Sequence, residues 1–152
     1  MLLFLAFLIG IIAGLRALTA PAAVAWGAAL GWFDVSQTPL AFMGYRWTPW
    51  IFTLLALVEL VTDQLPSTPS RKVPMQFGAR LIMGALSGAS IGAVGGSLIP
   101  GLIAGILGAA AGTLGGAAAR AKLASVFQKD PPAAILEDAV AIVGAILIVA
   151  SV

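Results

Sequence analysis

The sequence predicts an all-α integral membrane protein of about five transmembrane helices. Three observations lead there. Of 152 residues, 61% are hydrophobic and only 9% are charged, whereas a soluble domain carries roughly 25% charged residues. The mean hydropathy is +1.07. The apolar residues also gather into long stretches separated by connectors rich in Pro, Gly and charge. A soluble chain of this size must cover its surface with polar groups, so the simplest solvent for this surface is lipid. A spanning helix needs roughly 20 mainly apolar residues, which leaves room for about five in a single transmembrane domain, 1–152.

The first apolar segment runs from about Leu2 to Phe33. It lacks the basic leader of a secretory signal and reads as a retained helix. Roughly 30 residues of straight helix would reach about 45 Å, well beyond a hydrocarbon core of about 30 Å. Gly14, Arg16, Thr19 and Pro21 interrupt it near the middle, where Gly and Pro allow a membrane helix to break. The second segment, Thr48 to Leu65, follows a polar stretch from Asp34 to Trp47. The third, Phe77 to Val94, follows a loop with Pro66, Pro69 and Pro74 and the adjacent cations Arg71 and Lys72. Gly95-Gly96-Ser97 reads as a tight turn into the fourth segment, Leu98 to Phe127. That segment is again long, and its glycines from Gly108 to Gly116 make it a second candidate for a break. Gln128 to Pro132 reads as a loop, and Ala133 to Val152 as the fifth segment.

Several function classes fall away. With neither Cys nor His, there is no disulfide framework and no His-based triad. Zinc and most transition-metal sites lose their usual ligands, so neither a metal nor a cofactor is expected. The net charge of +2 forms no basic stripe, so nucleic acid is not an expected partner.

Five crossings would place the two termini on opposite sides. Arg71, Lys72 and Lys129 share the N-terminal side in that topology. The positive-inside rule then gives a cytoplasmic N-terminus and an external C-terminus in a bacterial inner membrane.

The first and fourth segments can be overlaid without gaps, Ile9–Phe33 on Ile103–Phe127, each followed by a Pro-containing loop and an acidic helix. Units 1–66 and 97–152, joined by a single helix at 77–94, would enter the membrane from opposite sides. Such a 2+1+2 arrangement is a candidate inverted repeat, and transporters of that kind hold their site at the repeat interface. Gly84, Gly88, Gly92 and Gly96 recur every four residues and predict close helix packing, within the chain or across a homodimer.

Ionisable groups at membrane depth are expensive and usually face the interior. They define the candidate site: Arg16, with Thr19 beside it; Glu59 and Asp63, an i, i+4 pair on one helix face; Arg80; and Glu137 and Asp138. Each has a plainer reading. Arg16 can be one half of a packing salt bridge, with Glu59 as its partner. Asp138 can cap the first turn of the last helix. Arg80 and Arg120 are both near enough to the interface to snorkel, a reading favoured for Arg120, while Arg80 can instead join Glu59, Asp63 and Glu137 in one polar cluster.

At GLRALTAPAAVAW (Gly14–Trp26), ELVTDQLPSTPSR (Glu59–Arg71) and LEDAVAIVG (Leu136–Gly144), the chain resembles an uncharacterised bacterial membrane family, domain-of-unknown-function family 4126. Arg16, Glu59, Asp63, Glu137 and Asp138 match those motifs. The resemblance covers most of the chain and brings no activity or substrate with it.

The residues themselves favour a small transporter or channel for a small solute or ion, with proton coupling through a buried carboxyl as an option and a homodimer as the working form. The alternative is a structural or partner-binding membrane protein. An enzyme is not expected, because no nucleophile–base pair is visible.

Overall fold

The computed structural model describes residues 1–62, 74–127 and 130–152. Among them are six α-helices and no strand: α1 (Leu2–Leu15), α2 (Thr19–Ala29), α3 (Thr48–Thr62), α4 (Pro74–Val94), α5 (Leu98–Phe127) and α6 (Asp130–Ala150), with a 3-10 turn at Ala41–Gly44 before α3. Gln76–Val94 and Leu98–Ala119 are long and apolar enough to cross a membrane. Large apolar side chains cover the outside, among them Leu54, Leu57 and Val61 on α3 and Val143, Ile146 and Leu147 on α6. Both observations point to a membrane protein.

Glycine builds the centre. On α4, Gly84, Gly88 and Gly92 meet Gly101 and Gly105 of α5, backbone against backbone. On the next face of α5, Gly108 and Gly112 meet α1 at Phe7, Gly10 and Ile11. With no side chain between them, the helices approach closely enough for dispersion contacts along their whole length. The glycine stripe of α4 is thus used within the chain. Gly96, at φ +76°, turns α4 back into α5 in a conformation that glycine adopts without strain.

The contacts fix the direction of every helix. Leu2 lies against Gly95, so α1 starts beside the α4–α5 turn. Gly10 then meets Gly105, and Gly14 meets Ala109 to Thr113. α1 therefore runs parallel to α5 and antiparallel to α4. At Arg16 the chain reverses. Thr19 to Ala23 of α2 lie against Ile142 to Ile146 of α6, and Gly27 lies against Val149, so α2 runs with α6. α1 opposes α6, because Arg16 meets Asp138 while Ile12 meets Gly144. α1 and α2 thus form a hairpin whose tip is Arg16-Ala17-Leu18. α3 runs back down α2, with Trp26 against Trp50 and Thr53 at one end and Leu18 against Glu59 at the other.

The hairpin changes the topology read from the sequence. Both termini, the Gly95–Ser97 turn and the segment 30–47 lie at one end of the helix layer. The C-terminal ends of α3 and α5 and the starts of α4 and α6 lie at the other. The two ends of the chain thus lie together rather than at opposite ends of the layer, and two of the described helices are long and apolar enough to cross a membrane. Hydropathy marks where a helix breaks but carries no sign for the direction in which the chain leaves the break. The inverted repeat of units 1–66 and 97–152 about a helix at 77–94 is corrected as well, since it needs the first and fourth segments to run in opposite directions and α1 runs parallel to α5.

Two boundaries also differ. The fourth segment is one continuous helix, because its glycines fit against α4 and α1 and no proline follows Pro100 in its first turn. In the first segment, by contrast, the Pro21 ring would collide with the Ala17 carbonyl of a continuous helix. α6 starts at Asp130 rather than after Pro132, since a helix's first turn needs no N–H from proline.

Candidate functional site

The break at Arg16 leaves two helix ends side by side at the hairpin tip, inside the helix layer. α1 ends with carbonyls that have no partner in their own helix, and α2 begins with amides in the same condition. The ends carry partial charges of about half an electron, negative on α1 and positive on α2. Irregular backbone at this depth is tolerated only where protein satisfies it, and here charged side chains do so.

Arg16 leaves α1 in an extended conformation, φ −142° and ψ 109°, and its side chain is fully buried. Nε donates to Asp138 Oδ1 at 2.5 Å, and Nη2 pairs with the same oxygen. Nη1 donates to the Leu15 carbonyl at 3.1 Å and reaches Glu137 Oε1 at 3.4 Å. One planar guanidinium, with donors in a fixed fork, thereby ties the end of α1 to the third turn of α6.

Glu59 serves the opposite helix end. Its Oε2 accepts the Ala17 amide at 2.9 Å and its Oε1 accepts the Leu18 amide at 3.0 Å. A carboxylate at a helix N-terminus is favoured by both the amides and the dipole. Arg80 is buried at 2% exposure and donates Nη1 to the Gly14 carbonyl at 2.9 Å. Thr113 donates its hydroxyl to the same carbonyl at 3.4 Å.

The structure brings together Arg16, Glu59, Arg80, Glu137 and Asp138 around one turn, drawing on α1, α3, α4 and α6. Thr19 lies beside them, mostly buried, with no hydrogen-bond partner for its hydroxyl among the described residues. Asp63 lies outside the described residues. Three plainer expectations are corrected. The acids that pair with Arg16 are Glu137 and Asp138, while Glu59 holds the start of α2. Asp138 does not cap its helix, because α6 begins eight residues earlier. Arg80 does not snorkel but turns inward to a bare carbonyl.

Thr113 and the backbone groups of Gly14, Ala17 and Leu18 complete the site. Thr113 left a signal: it is the lone polar side chain between Leu98 and Ala119. A groove of about 200 Å³ lies nearby, lined by α2, α3 and α6 at Thr19, Ala23, Thr53, Ala56, Leu57 and Ile146 among others. A second hollow of about 270 Å³ sits under the segment 30–47, at Asp34, Ser36 and Tyr45.

The model of DUF4126, a domain of unknown function, matches residues 3–151. No curated protein and no solved structure matches the chain.

Proposed function

The chain belongs to the DUF4126 family, whose description assigns no activity, and we propose from its own geometry that it is a small membrane carrier or channel for a small solute or ion. One observation carries this reading. A helical hairpin brings Arg16, Arg80, Glu59, Glu137 and Asp138 onto the two helix ends at its tip. Helix ends at interrupted membrane segments are a device with which transporters hold ions and charged groups, and intramembrane ionisable groups mark such pathways. The carboxylates also offer places for a coupling proton. In this reading the chain acts without enzymatic chemistry. It works as a homodimer, since so few helices leave little room for a shielded path in one copy.

The proposed setting is a bacterial inner membrane crossed by α3, α4, α5 and α6, with the α1–α2 hairpin dipping in from one side. In sequence, Arg71 and Lys72 stand between α3 and α4, and Lys129 between α5 and α6. The positive-inside rule then favours a cytoplasmic side for the ends of α3 and α5 and puts both termini outside.

The test is ligand binding followed by flux. Purified protein is melted in mild detergent against ions and small metabolites at several pH values, because a ligand specific for the folded state raises stability by mass action. A specific shift that disappears in Glu59→Gln, with flux of that ligand into vesicles also lost, is the expected result. Undiminished flux in Glu59→Gln and Arg16→Lys would remove this site from any transport role.

A second reading, a structural or partner-binding protein, is favoured by one observation: Arg16 engages acids and a carbonyl through three of its nitrogens. Replacing a buried ion pair by apolar residues of similar size is often neutral for stability. Arg16→Met with Glu137→Leu and Asp138→Leu therefore separates the readings. A folded triple variant that still performs the cellular role supports packing, and a folded one that has lost it supports transport.

A further inference from the structure

We propose that the groove between α3 and α6 is a binding site for one acyl chain of a bilayer phospholipid. α3 and α6 both pack on α2 but hardly on each other, so a gap opens between them with α2 as its floor. Ala22 and Ala23 supply that floor, and their small side chains are what make it deep. The walls are Ala56, Leu57 and Leu60 on α3 and Ile142, Ala145 and Ile146 on α6. From Thr53 to Leu60 the groove follows α3 for roughly 10 Å, about a third of the hydrocarbon core.

The rim identifies the occupant. Leu57 and Ile146 are 56% and 50% exposed, and Leu54, Val143 and Leu147 continue the apolar surface on either side. The mouth therefore opens onto hydrocarbon. Water does not fit the lining: an ordered water needs two to four polar partners, and the groove has two threonines. The Thr53 hydroxyl oxygen already accepts the Trp26 indole N–H at 2.7 Å. An empty groove would forfeit the dispersion contacts of its walls. A flexible hydrocarbon chain is the component of the surroundings that restores them. Its place also has a structural meaning. α3 is held to the rest chiefly through α2 and the turn before it, and a chain wedged between α3 and α6 supports its unpartnered side.

The experiment uses full-length protein in phosphatidylcholine vesicles doped with a phosphatidylcholine carrying a diazirine on one acyl chain. After illumination, labelled peptides are mapped. A chain touched by three walls instead of one should label Ala56, Leu57 and Ile146 on the order of threefold more than Leu114 and Val140. Those two residues are each 52% exposed on the same apolar surface and serve as controls. Ala23→Leu, which fills the floor, should return labelling to the control level while the melting temperature in lipid-free detergent stays within a few degrees. If that variant does not fold, Ala56→Leu fills the groove from the wall and reads the same. Equal labelling of groove and controls overturns the proposal. So does a protein–protein cross-link between Leu57 and Ile146 of two copies, which would make the groove a dimer contact.

Discussion

Arg16 concentrates the energetics of the molecule in one side chain. Breaking a buried pair by deleting one partner leaves an uncompensated charge and costs about 3–5 kcal/mol. Arg16→Ala should therefore lower the melting temperature in detergent sharply, and Asp138→Asn in the same chain should recover part of the loss. A strictly additive double variant would mean that the two groups do not interact. Glu59→Gln is a milder change. One amide of the α2 start keeps an acceptor oxygen while the other meets an NH2 group, which costs about 1–3 kcal/mol. Asp34 differs in kind, being fully exposed, and the Ser36 hydroxyl and amide hold its carboxyl below the ordinary 3.8. A lowered folded value means that its contribution is present above the unfolded value and is lost as pH falls through the folded one. In an acid titration followed by NMR, the Ser36 amide should move below pH 3.8, and a midpoint above it would contradict the contact. The sequence singled out Arg16, Glu59, Arg80, Glu137 and Asp138, because charge is conspicuous among apolar residues. It offered Glu59 as the partner of Arg16, where the structure has Glu137 and Asp138. The acids on Arg16 are 121 and 122 residues away, and only the direction of α2 and α6 decides which acid arrives.

Each helix follows from a local pattern, and the exceptions have local causes. The Leu98–Phe127 boundaries were legible to the residue, since Gly-Gly-Ser precedes the helix and a polar stretch follows it. The break in the first segment was legible from Pro21 and Arg16, but its reversal was not. A break that bends a helix and one that turns it back share the same composition. The continuity of α5 was hidden for a related reason: glycine permits a break, and whether it makes one depends on the surfaces that pack against it. Those surfaces give a sharp test. A methyl group on Gly105 would run into the Gly84 carbonyl and the Gly88 backbone. Gly105→Ala should cost at least the 1–3 kcal/mol typical of overpacking, read as a lower melting temperature. Gly115 has open space beside it, and Gly115→Ala should be neutral or slightly stabilising, because alanine is the better helix former.

At the scale of the whole molecule, the arrangement of ends is the most exposed claim. The chain has no cysteine, so single cysteines can be introduced without background. Ser36→Cys and Ser151→Cys should react with an impermeant maleimide from one face of a sealed vesicle. Ser125→Cys, near the end of α5, should react only from the other. Opposite labelling of Ser36 and Ser151 would restore the odd number of crossings that the hydropathy profile alone suggests. Composition pointed to a membrane protein because hydrophobic fraction is a property of the entire chain. Topology is a property of parity, and one reversal changes it for everything downstream.

The same reversal sets an order of events during synthesis. α1 has 14 residues, fewer than the roughly 20 needed to span, and Arg16 follows it. The groove that α1 occupies is built in part by Gly105, Gly108 and Gly112 of α5, far downstream in the chain. The acids that hold Arg16 come later still, in α6. Arg16 therefore acquires these two counter-ions only once α6 has been made.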